Sequence, residues 1–568
     1  MAATPRYGGP AARQRPSLAR LGLLGCIAWL TGLPVLLVLW GATHPFSGPN
    51  TGFTLKYLQK VFLSGDYVEP LLNTLVLSAA VSVLATWLAL LLAFATSRWG
   101  LRWRAGWEGL IMAPIFLSPF VGAIGWITLA QPRAGILNAV ARALGLPEID
   151  IFTWAGCIAT MGLFFVPFSY GLIVHGLDRL NPEIEEAAET CGASTWTRLT
   201  RITLPLVWPS ILSGLIFTFV LAMEMFSVPG ILLVPQGANF LSFTIFQRTT
   251  RWPLDYSEAA AAGVLLLLLT GIGMMAYGWV VRRQERFVSV GPKASREGGA
   301  TASPGLRRLA GAIVISYVIV SVVLPVAAIT LRALLPYFSG ELALADFTLQ
   351  NVVATLRDGL VQQAVLNSIF VTAVATLALV GLAYVIAVVN VRSTGAISRA
   401  TALLAGLPIA VPGVLFGVGL LRLYIATPIY ATIWLIVLVM LARFLPILVR
   451  MFETSLMQIG AVLEEAAKVS GAREPTLTLK IRLPLLLGTL RSSFVLGGTQ
   501  VLNELTASAL LTTSSSIVLP VVVFNYMFDG DYPRACTVAL LQVFLLAMVV
   551  GALGLVGRGR RRARQRSP

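Results

Sequence analysis

Two carboxylates stand where a carboxylate is costly. Glu224 lies in the apolar stretch LAMEMFSVPGILL and Glu504 in VLNELTASALLT. An ionisable group inside an apolar run of membrane length is a functional candidate by default, because a partner or water must meet its charge. A matched pair facing a central pathway would favour a cation. The alternative is that each is hydrogen-bonded between helices or lies at a water-filled helix break. Arg422 and Arg443 are placed near span ends, where long side chains reach the interface, and are assigned no role. Other chemistry is thin. Cys26, Cys157, Cys191 and Cys536 are far apart and match no metal or redox spacing, and His44 and His175 are too few for a His-based metal site. There is no GxxxxGK[ST] run, and none of the five lysines follows a glycine, so ATP hydrolysis by that route is excluded. With no nucleophile–base pair either, the chain reads as a non-enzyme.

A second feature occurs twice. EEAAETCGASTWTRLTRITLPL runs from Glu185 to Leu206, and EEAAKVSGAREPTLTLKIRLPL from Glu464 to Leu485. At a constant offset of 279, eleven of 22 positions are identical, which marks an internal repeat. Glu-Glu-Ala-Ala is a good helix former with acidic groups suited to a helix N-terminus. Gly192 and Gly471 supply a tight turn, and a second short helix is predicted to run to Leu204-Pro205 and Leu483-Pro484, where proline suits a first helical turn. The product is a helix–turn–helix elbow at a membrane surface. Other marks keep step: Asn73-Thr74 with Asn367-Ser368 at an offset of 294, and Pro119 with Pro412 at 293.

The elements that must position these residues follow from composition. The chain has 568 residues, 57% hydrophobic and 12% charged, about half the charge of a soluble domain. Runs of about 20 apolar residues predict twelve membrane spans. They fall near 21–41, 71–96, 107–130, 152–176, 207–233 and 259–281, then 309–331, 366–391, 400–425, 428–449, 485–512 and 535–557. The first follows a basic tail without a convincing cleavage site and is read as an uncleaved anchor. The net charge of +17 does not point to nucleic acid, because the arginines collect in the N-terminal tail, the joining segment 282–308 and the C-terminal end, all on one side of a twelve-span arrangement. The loops of the other side hold eight basic against eleven acidic residues, so both termini and the joining segment are expected to be cytoplasmic. The expected organisation is a first unit over 1–290, a linker over 291–308 and a second unit over 309–568, six spans each. These are parallel repeats about an axis along the membrane normal.

Glu-Ala-Ala, three residues, Gly, nine residues, Ile-x-Leu-Pro resembles the EAA signature of ATP-binding-cassette importer permeases. Glu186-Ala187-Ala188, Gly192, Ile202, Leu204 and Pro205 fit it without a gap, as do Glu465-Ala466-Ala467, Gly471, Ile481, Leu483 and Pro484; Glu185 and Glu464 precede them. The resemblance covers nearly the whole chain and implies an all-α integral membrane protein of the type I importer permease fold, in a bacterial cytoplasmic membrane. It implies that each elbow is a coupling helix docking on one of two ATP-binding-cassette subunits, which carry ATP and Mg while this chain binds no cofactor. It also implies a periplasmic or surface solute-binding protein. Pro475, where the first copy has Trp196, leads us to expect a kinked or shifted second elbow. NELTASALL around Glu504, with both units fused, is most similar to ferric-iron import permeases, while fused relatives also carry thiamine or 2-aminoethylphosphonate. The rival reading is a proton-coupled 6+6 secondary transporter using Glu224 and Glu504 as proton carriers. It gives no reason for two matched elbows, and its usual acidic residue is missing from SRWGLRWRAGW, between the second and third spans.

Overall fold

The computed structural model describes residues 18–45, 52–284, 304–335, 347–393 and 395–564. The basic tail before Leu18 and most of the expected linker, 291–303, lie outside the described residues. Lipid offers no hydrogen bonds, so a spanning segment must satisfy its backbone internally, and all regular structure among the described residues is helical. Among the described residues, nine helices are long and apolar enough to cross a membrane. They are Leu18–Thr43, Val68–Ser97, Trp154–Asp178, Trp196–Glu224, Tyr256–Arg283, Pro304–Leu334, Gly359–Arg392, Ile433–Gln458 and Tyr532–Gly551, the first, second, fourth to eighth, tenth and twelfth expected spans.

The other three expected spans are not continuous helices. The ninth is Ala396–Ala410 followed by Gly413–Tyr424, bent by 112°. Its counterpart, the third, is broken into Arg104–Ile111, a short turn and Pro119–Ala130. Both breaks fall at a residue before proline, where the ring pushes the preceding backbone out of the helical region: Ser118 has ψ 135° and Val411 ψ 117°. The eleventh is Glu474–Leu485 plus Leu487–Leu502, bent by 76°. The fifth and eleventh helices also stop earlier than expected, at Glu224 and Leu502.

Four widened, π-type turns interrupt the helices, at Ala28–Gly32, Leu199–Thr203, Ile319–Val323 and Leu477–Arg482. Each runs into a Leu-Pro pair. Proline brings no N–H and crowds the carbonyl four residues back, and one wider turn relieves both problems without breaking the helix.

The two halves exchange their first helices. Leu33–Thr43 of the first span packs on Gly413–Tyr424 of the ninth, and Leu324–Leu334 of the seventh packs on Pro119–Ala130 of the third. Close approach explains a glycine at each crossing: a Cβ on Gly419 would fall 2.3 Å from Pro34 O, and one on Gly125 would fall 2.6 Å from Pro325 Cα. Within each half the second and fourth spans, and their counterparts the eighth and tenth, form the most extensive pairs.

Beyond Glu224 and Leu502 the chain folds into short helices at the end opposite the elbows, among them Leu241–Thr250 and Leu519–Phe528. Asn73-Thr74 and Asn367-Ser368 hold them in place. Leu241 N donates to Thr74 Oγ1 at 2.9 Å and Leu519 N to Ser368 Oγ at 2.8 Å. Asn73 Nδ2 donates to Asn239 O and Asn367 Nδ2 to Ile517 O. First-turn N–H groups have no partner within their own helix, and a hydroxyl from the second or eighth span supplies one.

Candidate functional site

The first elbow helix, Pro182–Thr190, opens on Asn181, whose side chain accepts from Glu183 N. The second, Ala461–Val469, has no side-chain cap. Both close in the same way. Gly192 and Gly471 take φ of +82° and +84°, the left-handed conformation that glycine adopts without a Cβ penalty. The following amides, Ala193 N and Ala472 N, reach back to Ala188 O and Ala467 O at 3.0 and 2.9 Å. Glu186, Ala187, Glu465, Ala466 and both glycines are exposed, as are Pro205 and Pro484; Ala188, Ala467, Ile202, Ile481, Leu204 and Leu483 are half-buried. Each copy therefore presents a short acidic helix face to solvent.

The first glutamate of each motif turns inward, onto an arginine the sequence reading did not single out. Arg98, at the C-terminal end of the second span, lies 3.3 Å from Glu185 and donates to Leu177 O at the end of the fourth. Arg392, at the end of the eighth, donates to Glu464 at 3.0 Å and to Leu456 O at the end of the tenth. Arg98 and Arg392 are 294 apart, the offset of Asn73 and Asn367, and Leu177 and Leu456 are 279 apart, so the repeat itself carried the signal. A cation at a helix C-terminus also meets the carbonyl end of the dipole. Each elbow is thus tied to the second and fourth spans of its own half.

The two anchors differ in strength. Thr203 donates to Glu185, whereas at the matching position Arg482, 2% exposed, reaches Glu464 at 2.6 Å and Glu474 at 2.9 Å. Burial alone would raise the pKa of Glu464, but Arg482 and then Arg392 outweigh it and hold its carboxyl below the usual range. The expected kink at Pro475 is not found: proline sits in the first turn of Glu474–Thr476, where its missing N–H costs nothing. The bend lies at Leu486 instead. The separate short helix expected before Leu204 is absent, since Trp196–Glu224 runs as one helix from the first elbow to Glu224.

Glu224 and Glu504 do converge, but not as a bare symmetric pair. Both meet Arg443 of the tenth span, Glu224 Oε2 at 3.8 Å from Nη2 and Glu504 Oε1 at 3.5 Å from Nη1. Arg443 stands about 15 Å along a 26-residue helix. It is therefore mid-span, which corrects its placement near a span end. Its counterpart in the fourth span, 279 residues earlier, is Phe164. Arg443 packs on the ninth-span break so closely that a Cβ on Gly413 would fall 1.0 Å from Nη1. Glu504 serves as a cap, accepting from Ala507 N, Ser508 N and Ser508 Oγ at 2.8–3.0 Å. Glu224 ends its helix, and the backbone amide of Gly413 also faces its carboxylate.

Next to this cluster, on the side away from the elbows, phenylalanines close the space between halves. Phe246 and Phe524, carried at matching positions of the two short helices, meet edge to face at 5.5 Å. Phe226 lies 5.7 Å from Phe524, and Phe528 4.5 Å from Phe524. Such pairs add about 0.5–1.5 kcal/mol each beyond their buried area.

Residues 8–290 match the model of the family described as "Binding-protein-dependent transport system inner membrane component". The probable ABC transporter permease protein y4fN of Sinorhizobium fredii is 25% identical over 455 residues, 77% of this chain and 79% of that protein. The putative 2-aminoethylphosphonate transport system permease protein PhnV of Salmonella typhimurium is 28% identical over 233 residues, 41% of this chain and 82% of its own. The sulfate transport system permease protein CysT of Escherichia coli is 28% identical over 196 residues, 33% of this chain and 68% of its own. Among solved structures, a bacterial ABC transporter involved in the import of the acidic polysaccharide alginate aligns at a TM-score of 0.39 and 22% identity, covering 48% of this chain and 96% of that one.

Proposed function

The chain belongs to the binding-protein-dependent permeases of ATP-binding-cassette importers, and from that premise we propose that it is a pseudo-dimeric permease that imports ferric iron. Units 1–290 and 309–568 form the two halves, with the joining segment and both termini cytoplasmic. Elbows 185–206 and 464–485 each dock on one of two separate ATPase subunits, which hold ATP and Mg. A solute-binding protein delivers cargo at the other face. When the ATPases close, each elbow carries the second and fourth spans of its half with it, and the pathway switches its opening from one side of the membrane to the other. The phenylalanine contact closes the outer end in the resting state, and Glu224 and Glu504 line the route beneath it.

The observation that carries this reading is the doubled elbow with its doubled anchor: a rigid acidic surface helix, tied by arginine to two spans, built twice at fixed offsets. A proton-coupled transporter has no use for it. Ferric iron is supported by NELTASALL around Glu504 and by the excess of carboxylate over guanidinium in the mid-span cluster. A small aminophosphonate is the second reading, favoured by an arginine between two glutamates, which suits a zwitterion, and by the PhnV relatives.

Uptake of radiolabelled ferric iron, with the ATPase and binding protein co-expressed, tests the proposal against the paired variant Glu186→Arg/Glu465→Arg. ATP-dependent uptake lost in the variant, with protein still in the membrane, is expected. Uptake of 2-aminoethylphosphonate or thiamine in place of iron would change the cargo alone. Uptake that survives the variant and collapses with the proton gradient would overturn ATP coupling.

A further inference from the structure

Matched positions in a repeat should have matched surroundings, and Glu224 and Glu504 do not. Glu504 is satisfied within its own half: its three hydrogen bonds come from Ala507 and Ser508, and its charge is met by Arg443, also of the second half. Glu224 belongs to the first half, yet the two polar groups that face it, Arg443 and the Gly413 amide, belong to the second. Arg443 is held loosely. Its ion pairs are 3.5 and 3.8 Å long, and the buried Nη1 has no hydrogen-bond acceptor. The side chains of Arg443 and Glu224 are 21% and 12% exposed although mid-span, whereas that of Glu504 is 2% exposed. Glu224 is thus the less enclosed of the two carboxylates, and a charge at that depth faces the space between helices rather than lipid.

We propose that Glu224 is the single cargo-facing carboxylate of the pathway: Arg443 occupies it when the halves are closed, and a cationic group takes that place when they part. The inference rests on the alternating-access reading above. Separating the halves leaves Arg443 with Glu504, a neutral pair on one wall, and strips Glu224 of both its partners on the other. A carboxylate at that depth needs a replacement counter-charge. A metal cation or an ammonium group supplies it, and positive charge is the chemistry the two share. On this account Arg443 is a positioning residue that keeps the site filled in the absence of cargo, and Glu504 fixes the helix break that aims it.

Carbodiimide labelling of the complete complex in nanodiscs, mapped by peptide mass spectrometry, reads this directly. Trapping with ATP and vanadate should raise labelling of Glu224 by about tenfold, as a shift from a minor to a major open population implies, and leave Glu504 unchanged. Arg443→Met should label at Glu224 in the resting state as the wild type does when trapped, and Arg443→Lys should not. Gallium(III) citrate and 2-aminoethylphosphonate serve as metal and ammonium probes, and protection of trapped Glu224 by either one supports the site and tells which source it accepts. Equal labelling of both carboxylates, no rise on trapping, or a rise that neither probe reduces overturns the proposal. Failure of the wild-type complex to trap nucleotide sinks the importer reading and this inference with it; trapped nucleotide with unchanged labelling sinks this inference alone.

Discussion

Removing the two elbow anchors one at a time should expose their inequality. In Arg392→Met the second elbow loses a 3.0 Å bond to Glu464 and two more, at 3.0 Å, to Leu456 O and Ile459 O. Hydrogen bonds to a charged group contribute about 1.5–3 kcal/mol each in a buried setting. Glu464 keeps Arg482 at 2.6 Å, so no carboxylate is left bare, and the whole loss should be about 2–4 kcal/mol. In Arg98→Met the first elbow loses an ion pair of 3.3 Å between two groups each a little over a fifth exposed, worth about 0.2–1 kcal/mol, and one marginal bond to Leu177 O. A difference of about 2 kcal/mol is about 30-fold in a local opening equilibrium. Amide hydrogen exchange in nanodiscs measures it: residues 461–469 in Arg392→Met should exchange faster by that factor over wild type than residues 182–190 do in Arg98→Met. Equal acceleration would refute the link between burial of the anchor and its strength, and with it the view of the second elbow as the firmer attachment.

Three further outcomes follow from local geometry. Gly419→Ala places a Cβ 2.3 Å from the backbone oxygen of Pro34, which cannot yield, so thermal unfolding should show a loss of about 1–3 kcal/mol; Gly381→Ala, with nothing within 4 Å, should be neutral or slightly stabilising. Thr74→Val and Ser368→Ala each strip one N–H acceptor from a short helix, costing about 1 kcal/mol, seen as faster exchange at the Leu241 and Leu519 amides. Because the Glu464 pKa is held below its ordinary value, its contribution is complete above the ordinary carboxylate pKa and disappears only as pH falls through the depressed one. Protection of 461–469 should therefore be flat from pH 7 to about 5 in the wild type; in Arg482→Met, where Arg392 alone opposes burial and the carboxyl pKa moves upward, protection should be lower at pH 7 and recover as pH falls toward 5.

What could be read from the sequence was whatever repeats. The offset of 279 locates both elbows and their glycine turns, Glu224 and Glu504 lie one residue off it, and prolines 119 and 412 stand at the two breaks of the third and ninth spans. Arg98 and Arg392 stand at an offset of 294, but nothing local says that an arginine at a helix end will reach a glutamate 72 or 87 residues later. Arg443 was misplaced for a stronger reason. Its counterpart is Phe164, so the repeat gives no hint, and its partners come from the fifth and eleventh spans, which only the tertiary fold brings to the tenth. The bend at Leu486 rather than at Pro475 follows from position: proline in a first turn is tolerated, so the conspicuous residue was not the one that mattered.

Fusion of the halves gives that asymmetry a physical use. Two identical subunits about an axis must place charges in pairs, so a mid-span cluster with a glutamate from each can carry no arginine or two, for a net charge of minus two or zero. A single chain with unequal halves can place one arginine between two glutamates and reach minus one. At minus two the closed pathway would hold an uncompensated carboxylate in a low-dielectric space, which costs several kcal/mol. At zero it would offer an incoming cation nothing. With one arginine the closed state is compensated closely enough to persist, while parting of the halves frees one carboxylate. Phe164 in place of a second arginine is thus the difference that makes Glu224 and Glu504 chemically unlike while the elbows keep the same motif.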